Sequence, residues 1–370
     1  MPSNDERNYF IMYRRLCPLS ALAAAAMALI VLSACTATPN GSSTTASPPS
    51  GSSTGGAGIT ALVQTGQKTD IAEVQKTLGD PKVKAGAKLC YVTRTLANEF
   101  WSYERGGFEA EAKKLGVAYQ TFAVNDESSI SEQLDKAQSA LNQGCTAILA
   151  SPISATALDT VFKAALAKGV PAIVLNDAQG TVPGVVYVGP DASTIGQTAA
   201  DYIATALPSG GKVAMIEGDP GSSNALNRGK GFKAGLTKHT NLSLVASQTA
   251  KWDTNQAKTI ATAMLTANPD IKAFYSQNDG MALGVQSAIA AKGLTGKVIL
   301  VGTDGIPQAK KLIAAGTYTA TVSERPTTEG AAGVQTALWL LDGQKVPAWV
   351  DVPAFVVDKA NVSQYPTGMP

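Results

Sequence analysis

From residue 87 onward, short and almost uninterrupted apolar runs alternate with longer segments of mixed polarity. The runs are "KLCYVTR", "VAYQTFAV", "TAILAS" and "VPAIVLN", then "GKVAMIEG", "LSLVASQ", "IKAFYSQ" and "KVILVGTDG". Between them lie "FWSYERGGFEAEAKKLG", "SSISEQLDKAQSALNQG", "ATALDTVFKAALAKG", "SNALNRGKGFKAGLTKH", "TNQAKTIATAMLTANP" and "DGMALGVQSAIAAKG", which read as helices. One opens on serine and stops at glycine, the residues that cap helix ends. Continuous apolar strands alternating with helices imply parallel sheets covered on both faces. There are more units than one ordinary sheet holds. The pattern therefore predicts two doubly wound α/β domains in succession, with "GVVYVGPDASTIGQ" (184–197) as the first crossing between them.

In such sheets, ligands bind beyond the carboxyl ends of the strands. Those ends read "RTLANEFW" (94–101), "SPIS" (151–154), "NDAQG" (176–180), "GDPGSSN" (218–224), "AKWD" (250–253), "QND" (277–279), "TDG" (303–305) and "SERP" (323–326). They are rich in Asn, Asp, Glu and Arg, with Phe100, Trp101 and Trp252 among them. Planar amides and carboxylates each handle two hydrogen bonds from neighbouring hydroxyls, and aromatic faces pack against the C–H faces of a sugar ring. The combination points to a carbohydrate or polyol rather than a nucleotide. The competing explanation is that each polar residue caps the helix that follows it.

The amino end is of another kind. Arg14 and Arg15 precede an apolar run that finishes at Cys35, the layout of a secretory signal. "LSAC" resembles the lipobox of bacterial lipoproteins, which implies a signal peptide over 1–34 and a lipidated Cys35. A plain membrane anchor is the alternative, because the run approaches the length of a span. Residues 35–58 are Ser, Thr, Gly and Pro after the cysteine, a flexible tether. Residues 59–86 contain one short amphipathic helix, "IAEVQKTLG", and no assignable role. Cys17 leaves with the signal, so Cys90 and Cys145 remain, on strands that would be neighbours. They are either a disulfide or two buried thiols. With His239 as the single histidine there is no metal site. A net charge of +2, from 30 basic and 28 acidic residues spread evenly, leaves no stripe for nucleic acid.

The segments "NEFW" with "FEAEAKKLG" following, "VPAIVLN", "RGKGF", "QNDGMALG", "VGTDG" and "ATVSERP" occur in that order. From about 87 to 357 the chain resembles the ribose-type (type I) periplasmic binding proteins, the sugar receptors of bacterial ABC importers. The resemblance implies two similar lobes, 87–190 plus 325–353 and 191–324 plus 354–370, joined by three crossovers and closing on ligand by a hinge. It implies a polar contact at Asn98, stacking aromatics at Phe100 and Trp101, and a facing aromatic at Trp252. Further polar contacts fall at Asn278 and Asp304, and Glu324 stands where a Gln is usual. After "VPAIVL" the family carries Asp–Arg, and this chain has Asn176 and Asp177. Two positions before the Arg–Gly of "RGKGF" a second arginine is expected, and Leu226 stands there. Arg94 is left as the one candidate cation, so the ligand expected is a sugar or polyol other than ribose, or an amino-bearing sugar.

The function expected is therefore that of a monomeric, lipid-anchored receptor on the outer face of the cytoplasmic membrane. It would hand its solute to an ABC permease driven by a separate ATPase, with no cofactor and no catalysis. A receptor serving a membrane sensor is the alternative. An anchored carbohydrate-active enzyme using Asp177 and Glu324 is a weaker one, since no nucleophile is organised. The first strand is followed by no glycine fingerprint and no GxxxxGK[ST] occurs, which excludes dinucleotide enzymes and P-loop ATPases.

Overall fold

The computed structural model describes residues 57–177, 181–365 and 368–369. The expected signal segment, Cys35 and all but the end of the tether lie outside them. Among the described residues no helix is long and apolar enough to cross a membrane.

Two sheets organise the body. The first runs, in spatial order, β1 (Val63–Asp70), β12 (Val346–Asp351), β6 (Val186–Gly189), β5 (Ala172–Leu175), β4 (Ala147–Ala150), β2 (Lys88–Val92) and β3 (Ala118–Phe122). The second runs β13 (Phe355–Asp358), β11 (Ala320–Ser323), β10 (Ile299–Asp304), β9 (Ile271–Ser276), β7 (Gly211–Glu217) and β8 (Leu242–Thr249). All pairs are parallel except β11 with β13. A single turn, α1 (Ala57–Thr60), with α2 (Ile71–Leu78), α3 (Glu99–Leu115), α4 (Ile130–Asn142), α5 (Asp159–Ala167) and α11 (Pro326–Leu341), covers the first sheet. The second is covered by α6 (Ala192–Ala206), α7 (Ser223–Leu236), α8 (Thr254–Ala267), α9 (Asp279–Ala291) and α10 (Pro307–Ala315). The chain passes between the sheets three times, at β6 to α6, β11 to α11 and β12 to β13.

The lack of polar alternation in the strands has a direct cause. In β2, Leu89 and Tyr91 face one core with Phe108 and Trp339, while Cys90 and Val92 face the other with Ile148 and Phe162. In β7, Val213 and Met215 point one way and Ala214 and Ile216 the other. Both faces are dry, so neither can carry a charge cheaply. Helices α3 and α11 lie close enough that a Cβ at Gly330 would fall 2.1 Å from the Glu104 carbonyl oxygen.

Residues 59–86 acquire a place here. β1 adds a parallel edge strand beside β12, and α2, as expected, buries Ile71 and Val74 in the first core. Lys68 reaches Asp191 at 3.2 Å and Asp351 at 3.5 Å, and its ammonium lies 4.1 Å from the centre of the Trp349 ring. Asp191 and Asp351 stand at two of the three crossings.

Cys90 and Cys145 form a disulfide, with Cα atoms 5.8 Å apart. Cys145 lies two residues before β4 rather than within it, so the bridge joins a strand to the turn leading into its neighbour. It spans a sequence separation of 55. Replacing both cysteines by alanine should cost about 2–4 kcal/mol in urea unfolding, and an unchanged midpoint would remove the bridge from the stability of this lobe.

Two buried carboxyls brace the sheet ends. Glu104 of α3 accepts hydrogen bonds from Tyr91 Oη and, at 2.6 Å, from Ser151 Oγ. Asp279 accepts from the Gly305 and Ile306 amides at 2.8 and 3.0 Å and from Tyr318 Oη at 2.6 Å, fixing the turn after β10. Burial pushes Glu104 up to about 7 and Asp279 up to about 6. A carboxyl that holds its proton more tightly when folded loses stability as pH rises through its folded pKa and regains it on the way down. Urea midpoints should thus be higher near pH ~5.5 than near ~7.5, with Glu104→Gln narrowing the gap. A midpoint that climbs with pH across that window would contradict the assignment.

Candidate functional site

The strand ends converge on one cavity lined from both lobes. The first lobe contributes Arg94 after β2, Asn98, Phe100 and Trp101 at the start of α3, Glu127 after β3, and Asn176 and Asp177 after β5. The second contributes Asn224 and Arg228 on α7, Trp252 after β8, Asn278 after β9 and Asp304 at the end of β10. A wider opening outside it shares Asn98, Glu127, Trp252, Asn278 and Asp304. Of the residues expected from sequence, Glu324 alone does not line the cavity. It is fully buried, bonded to Arg228 and Asn176.

Helix capping and site construction use the same side chains. Asn98 Oδ1 accepts from the Phe100 amide at 3.1 Å, which starts α3, while its Nδ2 donates to Glu127 Oε1 at 3.1 Å. Asn278 Oδ1 likewise caps α9 through the Met281 amide at 2.8 Å. Capping is therefore realised at both residues, and both also line the cavity.

The aromatics are held firmly. Phe100 and Trp101 meet edge to face at 4.8 Å and pack with the core of the second lobe, although they belong to the first. Trp101 Nε1 donates to Glu127 Oε1 at 3.0 Å, and the Arg94 guanidinium lies 4.9 Å from its ring centre. Trp252 sits on a turn where Lys251 and Trp252 have φ of 50° and 67°, a left-handed backbone that costs non-glycine residues energy. Its ring lies on Gly218, where a Cβ would come within 2.1 Å of it.

The charges depart from expectation. Two guanidinium groups, not one, are present. Leu226 points into solvent, and Arg228, two residues on and so on the opposite side of the helix, enters the cavity. Its Nη1 donates to the Gln277 carbonyl at 2.8 Å and lies 3.9 Å from Asp304, and Nη2 meets Glu324. Arg94 is spent mostly on protein: its Nη2 donates to the Ile153 carbonyl at 3.0 Å and to Asp177 Oδ2 at 2.6 Å, and Nη1 lies 3.5 Å from Glu127. Four carboxyls (Glu127, Asp177, Asp304, Glu324) therefore face two arginines, and acid remains in surplus. Burial, and then the charge of Asp279, pushes Asp304 well above the usual carboxylate range, and Asp304 carries a φ of 119°. Asn176, at φ 60°, donates to Glu324 at 2.6 Å and to Glu329 at 2.9 Å. Burial followed by the Glu324 charge also raises Glu329.

Sequence reasoning missed Glu127, Asn224 and Arg228. The buried spacing Ala225, Arg228, Phe232, Leu236 on α7 would have placed Arg228 inward. Glu127 lies in a loop, "NDESS", where no periodic signal marks the inward side. Among the described residues no cluster of His, Cys, Asp and Glu is set to hold a metal. The cavity offers carboxylates, amides, guanidinium edges and indole faces, a set suited to holding a small polyhydroxylated molecule from all sides.

Comparison with known proteins agrees with this architecture. The family model for the periplasmic binding protein domain matches residues 89–345. The D-allose-binding periplasmic protein of Escherichia coli is 37% identical over 291 residues, 76% of this chain and 93% of that protein. The xylitol-binding protein of Mycolicibacterium smegmatis is 29% identical over 289 residues, 77% of this chain and 82% of that protein. Among solved structures, a solute-binding protein of Actinobacillus succinogenes with bound D-allose superposes with a TM-score of 0.71 at 29% identity, covering 75% of this chain and 100% of that one. With its two parallel-sheet lobes, three crossings and a cavity between the strand ends, the chain belongs to the periplasmic binding protein family.

Proposed function

We propose that the protein is an extracytoplasmic receptor that captures a sugar or polyol other than ribose between its lobes and delivers it to an ABC permease. The observation that carries this is the meeting, in one cavity, of Trp101 from the first lobe and Trp252 from the second among amide, carboxyl and guanidinium groups. Relatives whose names specify D-allose or xylitol support the substrate class. Asn98, Phe100, Trp101, Asn176, Trp252, Asn278 and Asp304 would contact the ligand, with Glu324 acting behind Arg228. Ligand held by one lobe favours the closed form through contacts from the other, and the permease would read the closed form. The "LSAC" segment supports export and a lipid on Cys35, which would leave the body as a tethered monomer on the outer face of the membrane.

A thermal-shift screen of pentoses, hexoses, polyols, inositols and amino sugars tests the reading. A ligand of the native state at 100 times its dissociation constant should stabilise by about 2.7 kcal/mol. D-Ribose should give a smaller shift than the best ligand, and silence across the panel would sink the sugar assignment. Trp101→Ala and Trp252→Ala should each weaken binding by about 30-fold or more, the loss typical of a buried aromatic anchor. Circular dichroism should confirm that the folded state survives, and unaltered affinity in both variants would remove the aromatic pair from the site.

A further inference from the structure

Asp177 looks, from sequence, like an extra acceptor for ligand hydroxyls. Its oxygens are otherwise engaged. Oδ2 accepts from Arg94 Nη2 and from Ser222 Oγ, both at 2.6 Å, and Oδ1 accepts from the Asn224 amide at 3.0 Å. Arg94 belongs to the first lobe, as Asp177 does, whereas Ser222 and Asn224 form the N-terminal turn of α7 in the second. Ser222 is also the cap of that helix, accepting from the Ala225 amide at 3.3 Å. A carboxylate of one lobe thus sits on the positive end of a 14-residue helix of the other. The residue is 1% exposed, so the contact is dry and weakly screened.

The mounting on the first lobe is stiff. Asn176, just before, is held in its left-handed conformation by Tyr187 Oη, which donates to the Asn176 carbonyl at 2.5 Å. Its Oδ1 accepts from Asn224 Nδ2 at 2.7 Å, a second bond to the same turn of α7. Arg94 fixes the carboxylate from behind, itself held by the Pro152 and Ile153 carbonyls.

We propose that Asp177 is the latch of the cleft: it ties the first lobe to the N-terminus of α7 and sets how long a ligand is retained, not which ligand is chosen. This rests on the receptor function above for its ligand arm alone. Changes that act only on the closed state appear chiefly in the dissociation rate, and a charge-assisted bond of this kind changes it by about 10- to 100-fold.

The test uses Asp177→Asn and Ser222→Ala in the full protein, the second because Ser222 lies outside the cavity lining. With the best ligand of the panel, stopped-flow fluorescence should show dissociation about 10- to 100-fold faster in D177N and faster by a smaller factor in S222A, with association no slower than in the parent protein. The ranking of ligands should stay as in the parent protein. Small-angle X-ray scattering without ligand should show a larger radius of gyration in both variants. A reordered ranking in D177N would make Asp177 a ligand contact and overturn the proposal, as would unchanged dissociation together with unchanged scattering. If the parent protein binds nothing in the panel, the sugar reading fails and scattering alone decides the latch: expansion of both variants upholds it and identical curves overturn it.

Discussion

Every strand of a parallel sheet ends on the same side, and each must hand the chain to a helix there. That constraint governs this protein. Apolar runs buried on both faces cannot host polar groups, so Asn, Asp, Glu and Arg are displaced to the strand ends, where helix N-termini need caps. Two such sheets facing each other bring both sets of ends together. Asn98 and Asn278 show the economy that results, since one amide oxygen starts a helix while the rest of the group belongs to the cavity.

Gathering charges in a dry place carries a penalty that must be met locally. Arg228 is met by Glu324 and the Gln277 carbonyl, and Arg94 by two carbonyls and Asp177. The carboxyls left without a full counter-charge respond differently. Burial, compounded by neighbouring carboxyls, raises Asp304 and Glu329 above the usual carboxylate range, and of the two Asp304 lines the cavity. The cavity thus sets amide and guanidinium donors beside carboxyl oxygens.

Much of this was legible in the residues. The apolar runs gave the two sheets, and nine of the ten residues singled out line the cavity. Arg228 is hard to read from sequence because the position at which the family pattern expects an arginine is Leu226, two places earlier, where the helix faces water. Glu127 was hidden because it lies in a loop, where no period marks the inward side. β1 was not legible at all: "VQTGQKTD" has no apolar alternation, and it is a strand only because β12 offers it a ladder. The pairing of Cys90 and Cys145 depended on a detail of register, the two residues by which Cys145 precedes β4.

That polar edge strand bears on the order in which the molecule is assembled. β1 hydrogen-bonds to β12 alone, and Val63 meets Val346. All the strands of the second sheet except β13 lie between β6 and β12 in the chain. A strand near one end must therefore wait for one near the other, a closure of very long range that belongs late in folding. During that wait an apolar strand would invite pairing with a neighbouring molecule. β1, with Gln, Thr and Lys along most of its exposed length, can wait in water without harm.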